Sequence, residues 1–337
     1  MKRAAALFSV LWLAGCGGVQ SAEGRDAVQS ALIGQLLDIF LWVTGAVYLF
    51  VVVFLALAIV RGRRHRQTNS GWQGEVPPKV ESAWRTGLIA FVAATALILF
   101  GLTIATWLTD RGLAKAAGPA PLEVRIIGHQ WWWEVRYNNA DPSRELRTAN
   151  ELHLPAGQTV HISLESPDVI HSLWIPNLAG KQDLIPGRDT DLTIHPNHAG
   201  YFRSQCAEYC GLQHAHMALD VVVEDPTKFA NWYEAGLKPP PTPTGGAAFA
   251  GYTLFTTRQC ASCHNIANTP AYGQVAPDLS HVASRLTIAA GALPMSPANL
   301  KTWVADPQKV KPGNHMPKVP LSDAELNAVT AYLETLK

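Results

Sequence analysis

The sequence has few charged residues, few cysteines and few methionines. Charged residues are 16% of its 337 residues, and 27 Lys and Arg nearly balance 26 Asp and Glu, which leaves a formal net charge of +1. No basic stripe interleaved with aromatic residues is present, and this argues against a nucleic-acid partner. Because there are only five cysteines and four methionines, the position of each one is informative.

Charge is absent altogether from two long runs, residues 39–60 and 86–109, which hold 22 and 24 residues. A bilayer core about 30 Å thick needs about 20 helical residues, so both runs predict transmembrane helices rather than buried helices of a soluble domain. Four arginines follow the first run: Arg61, Arg63, Arg64 and Arg66. Positive residues beside a span favour the cytoplasmic side. We therefore expect a hairpin whose loop is cytoplasmic and whose two ends lie outside.

The first 15 residues have the pattern of an export signal. Lys2 and Arg3 precede a short apolar run, which ends in the small residues of LAGC at Cys16. A charged start, an apolar middle and small residues at the end are typical of secretory signals. The letters LAGC resemble the bacterial lipobox, and this resemblance implies a lipid anchor on Cys16. An uncleaved signal with an unmodified cysteine is the alternative.

One loop, residues 206–217 with the sequence CAEYCGLQHAHM, concentrates soft metal ligands. Thiols, imidazoles and a thioether favour copper over the hard ions that prefer oxygen. Zinc is the main rival metal, but its sites rarely include methionine. A disulfide between Cys206 and Cys210 is the other alternative, and it leaves His214 and Met217 without a role. A mononuclear blue-copper site uses one cysteine, so the second cysteine indicates a second metal ion.

This scheme needs a further histidine, and His171 in SPDVIHSLWIP, residues 166–176, is the best placed. The pattern CxExCGxxHxxM, preceded by DVIHS, resembles the binuclear CuA centre of cytochrome c oxidase subunit II. The resemblance implies two copper ions and these ligands: His171, Cys206, the backbone carbonyl of Glu208, Cys210, His214 and Met217. It also implies that the Glu208 carboxylate binds magnesium at the border with subunit I, and a hard oxygen suits that hard ion.

Two further positions match patterns of the same family. GHQWWW, residues 128–133, resembles the family's GHQWxW, which implies that electrons enter at Trp131 above the copper. Three tryptophans in an alternating strand cannot all face one core, so we expect at least one near the surface; ordinary packing or a membrane-facing aromatic belt is the alternative. Glu81, in an ExxW pattern before the second run, resembles a position that helps admit protons to subunit I. A solvated flank of the span is the alternative.

Residues 121–237 have the pattern of short strands. Apolar and polar residues alternate in four segments, at 122–127, 159–164, 191–194 and 218–223, with turn residues between them. Short strands separated by regular turns predict an antiparallel β-sandwich or barrel. A cupredoxin-like fold of this kind suits the resemblance to the CuA centre.

The C-terminal part has a second redox motif. KPPPTPTGG, residues 238–246, predicts an extended linker with a flexible end, and CASCH follows within residues 247–337. CxxCH is the c-type haem attachment pattern. It predicts a covalent haem c attached to Cys260 and Cys263, with His264 as one axial ligand.

The second axial ligand is expected to be a Met or His from the far side of the fold. Met316 in PGNHMP is the preferred residue, with Met295 and His315 as rivals. The run from Trp303 to Met316 resembles cytochrome c domains fused to oxidase subunit II, and this implies an all-α, class I cytochrome c domain. In that family the carbonyl of Pro277 supports the haem histidine. SDAE, residues 322–325, is a capping box that predicts a C-terminal helix.

The resemblance covers nearly the whole chain after the signal. It implies subunit II of a bacterial, proton-pumping, caa-type cytochrome c oxidase, which takes electrons through haem c and CuA to subunit I for oxygen reduction. The expected organisation is a signal (1–15), a transmembrane hairpin (16–120), the CuA domain (121–237), the linker and the cytochrome domain. The five cysteines then divide into one lipid anchor, two copper ligands and two haem attachments, and no disulfide framework is needed.

The expected partners are subunit I, subunit III and an electron donor such as cytochrome c or a cytochrome bc complex. The expected location is the bacterial inner membrane, with both redox domains on the periplasmic face. The electron-accepting subunit of a CuA-containing nitric oxide reductase remains an alternative. A membrane-tethered copper chaperone is another, but Met217, the haem motif and the second span argue against it.

Overall fold

A computed structural model describes residues 17–68 and 78–337 of the chain. The expected signal and Cys16 lie outside the described residues. The chain divides into two compact units, one of residues 32–115 and the other of the residues before and after them. The smaller unit contains most of the expected hairpin, and the larger one contains both expected redox domains.

The smaller unit is formed by two long helices, α1 (Val28–Thr68) and α2 (Pro78–Ala116). By length and composition, Val28–Arg64 and Pro78–Ala116 could each cross a membrane, and no residue of their most apolar windows is buried. Both helices extend beyond the charge-free runs. Arg, Lys, Gln and Glu are strong helix formers, so the polar flanks continue the helices past the apolar segments.

The copper-type domain is a sandwich of ten strands. They are β1 (Leu122–His129), β2 (Trp132–Asn138), β3 (Leu146–Ala149), β4 (Glu151–Pro155), β5 (Val160–Glu165), β6 (His171–Trp174), β7 (Gln182–Leu184), β8 (Thr190–Ile194), β9 (Gly200–Cys206) and β10 (Ala218–Glu224). Within the described ranges they form two five-stranded sheets, with orders β3-β2-β1-β5-β8 and β4-β10-β9-β6-β7. The four alternating segments of the sequence correspond to β1, β5, β8 and β10.

The sandwich differs from the expected one in strand direction. The expectation of a wholly antiparallel sandwich is wrong in detail, because β1 runs parallel to β5 and β4 runs parallel to β10. The members of each parallel pair are far apart in the sequence. Their relative direction is therefore set by long connections, whereas the turn residues report only on strands joined by short hairpins.

A second difference concerns the three consecutive tryptophans. Gln130 and Trp131 form the turn between β1 and β2 instead of continuing a strand, and His129 pairs with Trp132 across the hairpin. Trp133 then faces the core and is fully buried, while Trp132 is half-buried. The turn interrupts the alternation on which the expectation for this segment depended.

The segment before α1 packs on the sandwich. The amide of Asp26 donates to the carbonyl of Asn177 at 3.1 Å, and the amide of Val28 donates to the carbonyl of His195 at 3.1 Å. The side chain of Gln29 accepts from the amide of His195 at 2.9 Å. The chain is therefore anchored to the β domain where the first long helix begins.

Helix α3 (Pro226–Gly236) packs against the sandwich core through Phe229, Trp232 and Tyr233. Its Trp232 stacks on the ring of His153 with centroids 3.9 Å apart. His153 also contacts two carboxylates, with Nδ1 3.0 Å from Glu224 and Nε2 3.8 Å from Glu151. Arg285 is the other charged group facing Glu151, at 3.9 Å. Burial opposes protonation of His153, but the two carboxylates outweigh it and raise the pKa of His153 above its ordinary value of 6.5.

This histidine predicts a fall in stability at alkaline pH. A base whose pKa is raised by folding stabilises the folded state below its unfolded pKa, and this contribution is lost as the pH rises through the folded pKa. The melting temperature should therefore fall as the pH is raised above 6.5, the ordinary pKa of histidine, by roughly 2–4 °C for each kcal/mol of stability lost. Circular dichroism of the purified chain, recorded during heating at each pH, measures the melting temperature. His153→Gln should show a smaller fall, and an identical fall in both proteins would contradict the assignment.

The cytochrome-type domain is mainly helical. Its helices are α4 (Gly246–Thr257), α5 (Cys260–Cys263), α6 (Pro297–Ala305), α7 (Pro307–Val310) and α8 (Asp323–Leu333), and it also contains a short ladder of β11 (Thr287–Ile288) with β12 (Leu293–Pro294). Short 3-10 turns occur at Pro142–Arg144, His214–His216 and Val282–Ser284. The predicted capping box is present at Ser322 and Glu325. Leu326, Val329 and Leu333 of α8 are buried in its core.

Candidate copper and haem sites

The copper-type site lies at one end of a sheet, where one strand begins and its antiparallel neighbour ends. His171 begins β6, and Cys206 ends β9, the strand paired with β6. After β9 the chain turns back through Cys210 and the 3-10 turn His214–His216 before β10 begins. His171, Cys206, Cys210 and Met217 are all buried. The sheet therefore fixes the two ends of the loop, and the loop supplies the remaining donors.

The donor atoms of this loop converge on one point. Cys210 Sγ lies 3.8 Å from Cys206 Sγ, 3.7 Å from His214 Nδ1 and 3.8 Å from Met217 Sδ. Cys206 Sγ lies 3.9 Å from His171 Nδ1 and 3.3 Å from the carbonyl oxygen of Glu208. Two sulfurs in a disulfide are about 2.05 Å apart, whereas donors that share an ion at about 2.3 Å can be up to about 4.6 Å apart. The spacing fits shared metal ions.

The charge on the two thiols also fits a metal site. A hydrogen bond from the Cys210 thiol lowers the pKa of Cys206 to about 3. The same interaction, with burial, raises the pKa of Cys210 far above its usual range. The pair therefore holds one negative charge readily, and a second thiolate needs a cation beside it. Soft sulfur and imidazole donors favour copper for that cation.

Asp168 orients the more distant histidine and was not singled out in the sequence. Its Oδ1 accepts from Nε2 of His171 at 2.9 Å, which leaves Nδ1 of His171 facing Cys206. Burial opposes ionisation of Asp168, but hydrogen bonds from His171 and two backbone amides lower its pKa to about 2. A carboxylate that fixes the tautomer of a ligand histidine is common around metal sites. Its position three residues before His171 in DVIHS was the available signal.

Trp131 contacts this loop directly. Its Nε1 donates to the carbonyl of Cys210 at 2.9 Å, and Nε2 of Gln130 donates to the same oxygen at 2.8 Å. The tryptophan is only 6% exposed. The ring of His315, from the cytochrome-type domain, lies over it with centroids 5.3 Å apart. Trp131, the expected point of electron entry, is therefore covered by the other redox domain, and the tryptophan closer to the surface is Trp132.

The CxxCH residues lie on one short helix and at the position that follows it. The thiols of Cys260 and Cys263 are both free, at the two ends of α5. Nδ1 of His264 donates to the carbonyl of Pro277 at 2.8 Å, which leaves Nε2 available as a ligand atom. Burial lowers the pKa of His264, so the imidazole is held neutral, as a metal ligand must be.

The three residues considered for the second axial position have different surroundings. Met316 is half-buried in a loop, where its amide donates to Oδ1 of Asn314 at 2.8 Å and its carbonyl accepts from Gln308 at 2.8 Å. Met295 packs against the core of the domain, and His315 lies against Trp131. Met316 is thus the one held in a loop without a role in the core or against the copper-type domain.

The two acidic residues singled out in the sequence lie in different units. Glu208 is half-buried within the copper loop, and its carboxylate accepts from the amide of Tyr209 at 3.1 Å. Glu81 lies in the first turn of α2 and is exposed. His195, His198 and His216 all contact groups other than the two thiols.

Comparison with known proteins places this geometry in a family. Residues 138–225 match the model of the cytochrome c oxidase subunit II periplasmic domain, and residues 248–337 match that of cytochrome c. Cytochrome c oxidase subunit 2 of Bacillus subtilis is 31% identical over 85% of this chain and 83% of its own length. The chain belongs to the cytochrome c oxidase subunit 2 family. Cytochrome c oxidase subunit 2 of Alkalihalophilus pseudofirmus is 28% identical over 98% of this chain and 95% of its own length. The subunit 2 of Bacillus sp. PS3 is 31% identical over 80% of this chain and 79% of its own length.

Membership confirms the expected fold class and the expected activity. The chain is an oxidase subunit 2 with two apolar helices, a cupredoxin-like copper domain and a fused cytochrome c domain, as in the caa-type. The first domain implies copper and the second implies haem. The chain is a membrane protein, and its copper domain matches a periplasmic domain. Nitric oxide reductase, which the sequence had left open, is not favoured by these relatives.

Proposed function

We propose that this subunit binds one covalent haem c and a binuclear CuA centre, and that these cofactors supply one-electron transfer from an external donor to subunit I. The observation that supports this proposal is the convergence of six donor atoms around Cys206 and Cys210. The side chains of His171, His214 and Met217 and the carbonyl of Glu208 complete the set. A β scaffold holds both ends of the loop, so little rearrangement accompanies a change of charge.

In the cytochrome domain, Cys260 and Cys263 would attach the haem, and His264 and Met316 would hold its iron. The bond from His264 to Pro277 orients the imidazole. Histidine–methionine ligation gives a high reduction potential among haems, which suits a carrier late in a respiratory chain. Trp131, bonded to the carbonyl of Cys210, is the side chain through which electrons enter the copper site.

The two acidic residues have roles at subunit I. The carboxylate of Glu208 binds magnesium at the shared border, because a hard oxygen donor suits that ion. Glu81, at the start of α2, helps admit protons on the cytoplasmic side for the proton-pumping reaction. Oxygen reduction takes place in subunit I.

The chain is placed in the bacterial inner membrane as a two-span protein. The arginines at the end of α1 place the loop between the helices in the cytoplasm, and both redox domains, 121–237 and 247–337, lie in the periplasm. After removal of residues 1–15, a lipid on Cys16 adds a third attachment. Subunit III is a further partner, and cytochrome c or a cytochrome bc complex is the donor.

Metal analysis with visible and near-infrared spectra of the purified oxidase tests the proposal. We expect two coppers and one covalent haem c for each copy of this subunit. Zinc, or a single copper, at the Cys206 and Cys210 site would contradict the ligand assignment. Consumption of oxygen rather than nitric oxide by the same preparation distinguishes the oxidase from the reductase.

A further inference from the structure

Lys311 is a buried cation at the contact between the two redox domains. It follows α7 in the cytochrome domain and is only 3% exposed. Its Nζ donates to three backbone carbonyls, those of Trp131 at 2.9 Å, His216 at 2.8 Å and Ala289 at 3.2 Å. The first two belong to the copper domain and the third to the cytochrome domain. One ammonium group therefore joins both domains beside the copper loop.

All three N–H donors of the Lys311 ammonium group have acceptors only in this arrangement of the two domains. A lysine ammonium has three donors and no acceptor, and here three carbonyls accept from it. Among the described residues no carboxylate is within ion-pair distance of it. Burial lowers the pKa of Lys311 to about 8, so enclosing this charge has a cost. Separation of the domains would remove two of the three acceptors while the third stayed with Lys311.

Further contacts surround Lys311 in the same interface. Nε2 of Gln213 donates to the carbonyl of Pro312 at 2.7 Å. The amide of Ala218 donates to the carbonyl of Ala290 at 3.1 Å, and Nη2 of Arg203 donates to that of Gly291 at 3.2 Å. Gly313 approaches Leu212 so closely that an added Cβ would lie 2.7 Å from its Cδ1. The segment from Lys311 to Gly313 thus lies along the copper loop.

We propose that Lys311 is a positioning residue that holds the cytochrome domain in one orientation on the copper domain, with His315 against Trp131. The linker of residues 238–246 would by itself allow many orientations. The carbonyls that accept from Lys311 select one of them, and that one places the loop of Met316 next to Trp131. The docking does not depend on the cofactors, whereas its effect on electron transfer rests on the function proposed above.

The test compares two methionine variants in the complete oxidase. Lys311→Met removes the ammonium and keeps a long side chain. Lys309→Met removes the same charge two residues away, at an exposed position, and is the matched control. One reading is hydrogen exchange of the peptide that contains Ala218, whose amide bonds across the interface. The other is the rate of electron transfer from haem to copper after flash reduction of the haem.

Lys311→Met should raise exchange at Ala218 by at least about tenfold, because a hydrogen bond to a charged group is equivalent to about tenfold or more in an equilibrium constant. It should also slow transfer at least about tenfold, since a misplacement of about 1 Å can cost up to about 100-fold. The haem and copper spectra should be unchanged, and Lys309→Met should match the wild type in both readings.

Equal exchange in the two variants would overturn the docking role of Lys311. Faster exchange with an unchanged transfer rate would overturn its role in electron transfer. If Lys311→Met does not incorporate haem, Lys311→Gln, which keeps an N–H donor, takes its place with the same two readings and a smaller expected change. A wild-type oxidase without the copper or haem spectrum would contradict the proposed function instead, because hydrogen exchange reports docking without either cofactor.

Discussion

Replacing Cys210 by serine is expected to abolish the mixed-valence copper spectrum and leave the haem spectrum intact. Cys210 Sγ has three donor atoms of other side chains within 3.8 Å: those of Cys206, His214 and Met217. A hydroxyl is a harder donor than a thiolate and has a much weaker affinity for copper. The haem motif lies in the other domain, so its attachment should not change.

Oxygen consumption should fall with the copper spectrum. Loss of residues that only support metal ligands costs about 10–100-fold in affinity or activity, so loss of a proposed copper ligand itself should exceed about 100-fold. Cys206→Ser should have the same effect. His216→Gln, two residues beyond His214 and bonded to Gln213 rather than to a thiol, is the control and should retain the spectrum. A copper spectrum that survived both cysteine replacements would refute the site.

Gly251→Ala is expected to prevent stable folding of the cytochrome domain. Gly251 lies in α4 where that helix crosses α8, and an added Cβ would lie 1.9 Å from the carbonyl oxygen of Ala328 and 2.8 Å from Cβ of Tyr332. The first obstacle is helix backbone, so no side chain can rotate away. Overpacking a core costs about 1–3 kcal/mol and occasionally more, and here the two helices themselves must separate.

The expected result is a large loss of covalently bound haem, measured from the haem spectrum per polypeptide, while the copper spectrum is kept. Gly245→Ala is the matched control. Gly245 has an extended backbone, and an added Cβ would find nothing within 4 Å, so this variant should bind haem normally. Full haem content in Gly251→Ala would show that α4 and α8 can separate without loss of the fold.

Short-range patterns in the sequence predict much of the molecule. Charge-free runs predict the two long helices, alternation predicts β1, β5, β8 and β10, and the capping box at Ser322 predicts the start of α8. In each case the signal and the structure lie within one element, because local periodicity and hydrogen bonding decide where a helix or strand forms. The residue types and spacing of the ligand motifs likewise indicate copper and haem.

Features that join distant parts of the chain have no such local signal. The alternation of apolar and polar residues predicts that a strand forms, but it does not predict that β1 pairs in parallel with β5, or β4 with β10. Alternation predicts a strand at Trp131 where the structure has a turn, and this tryptophan is in ring contact with His315 of the other redox domain. Asp168 is visible in its motif, but its role depends on the contact between its carboxylate and His171.

The sequence by itself determined which side chains are available for metal and haem, because softness and charge are properties of residue types. Only the tertiary structure decided how the two redox domains meet. From the sequence alone Lys311 would be expected to lie at the surface, because lysine is rarely buried without a partner. Its partners are backbone carbonyls of Trp131, His216 and Ala289. Every residue has such a carbonyl, so folding alone selects the three that accept.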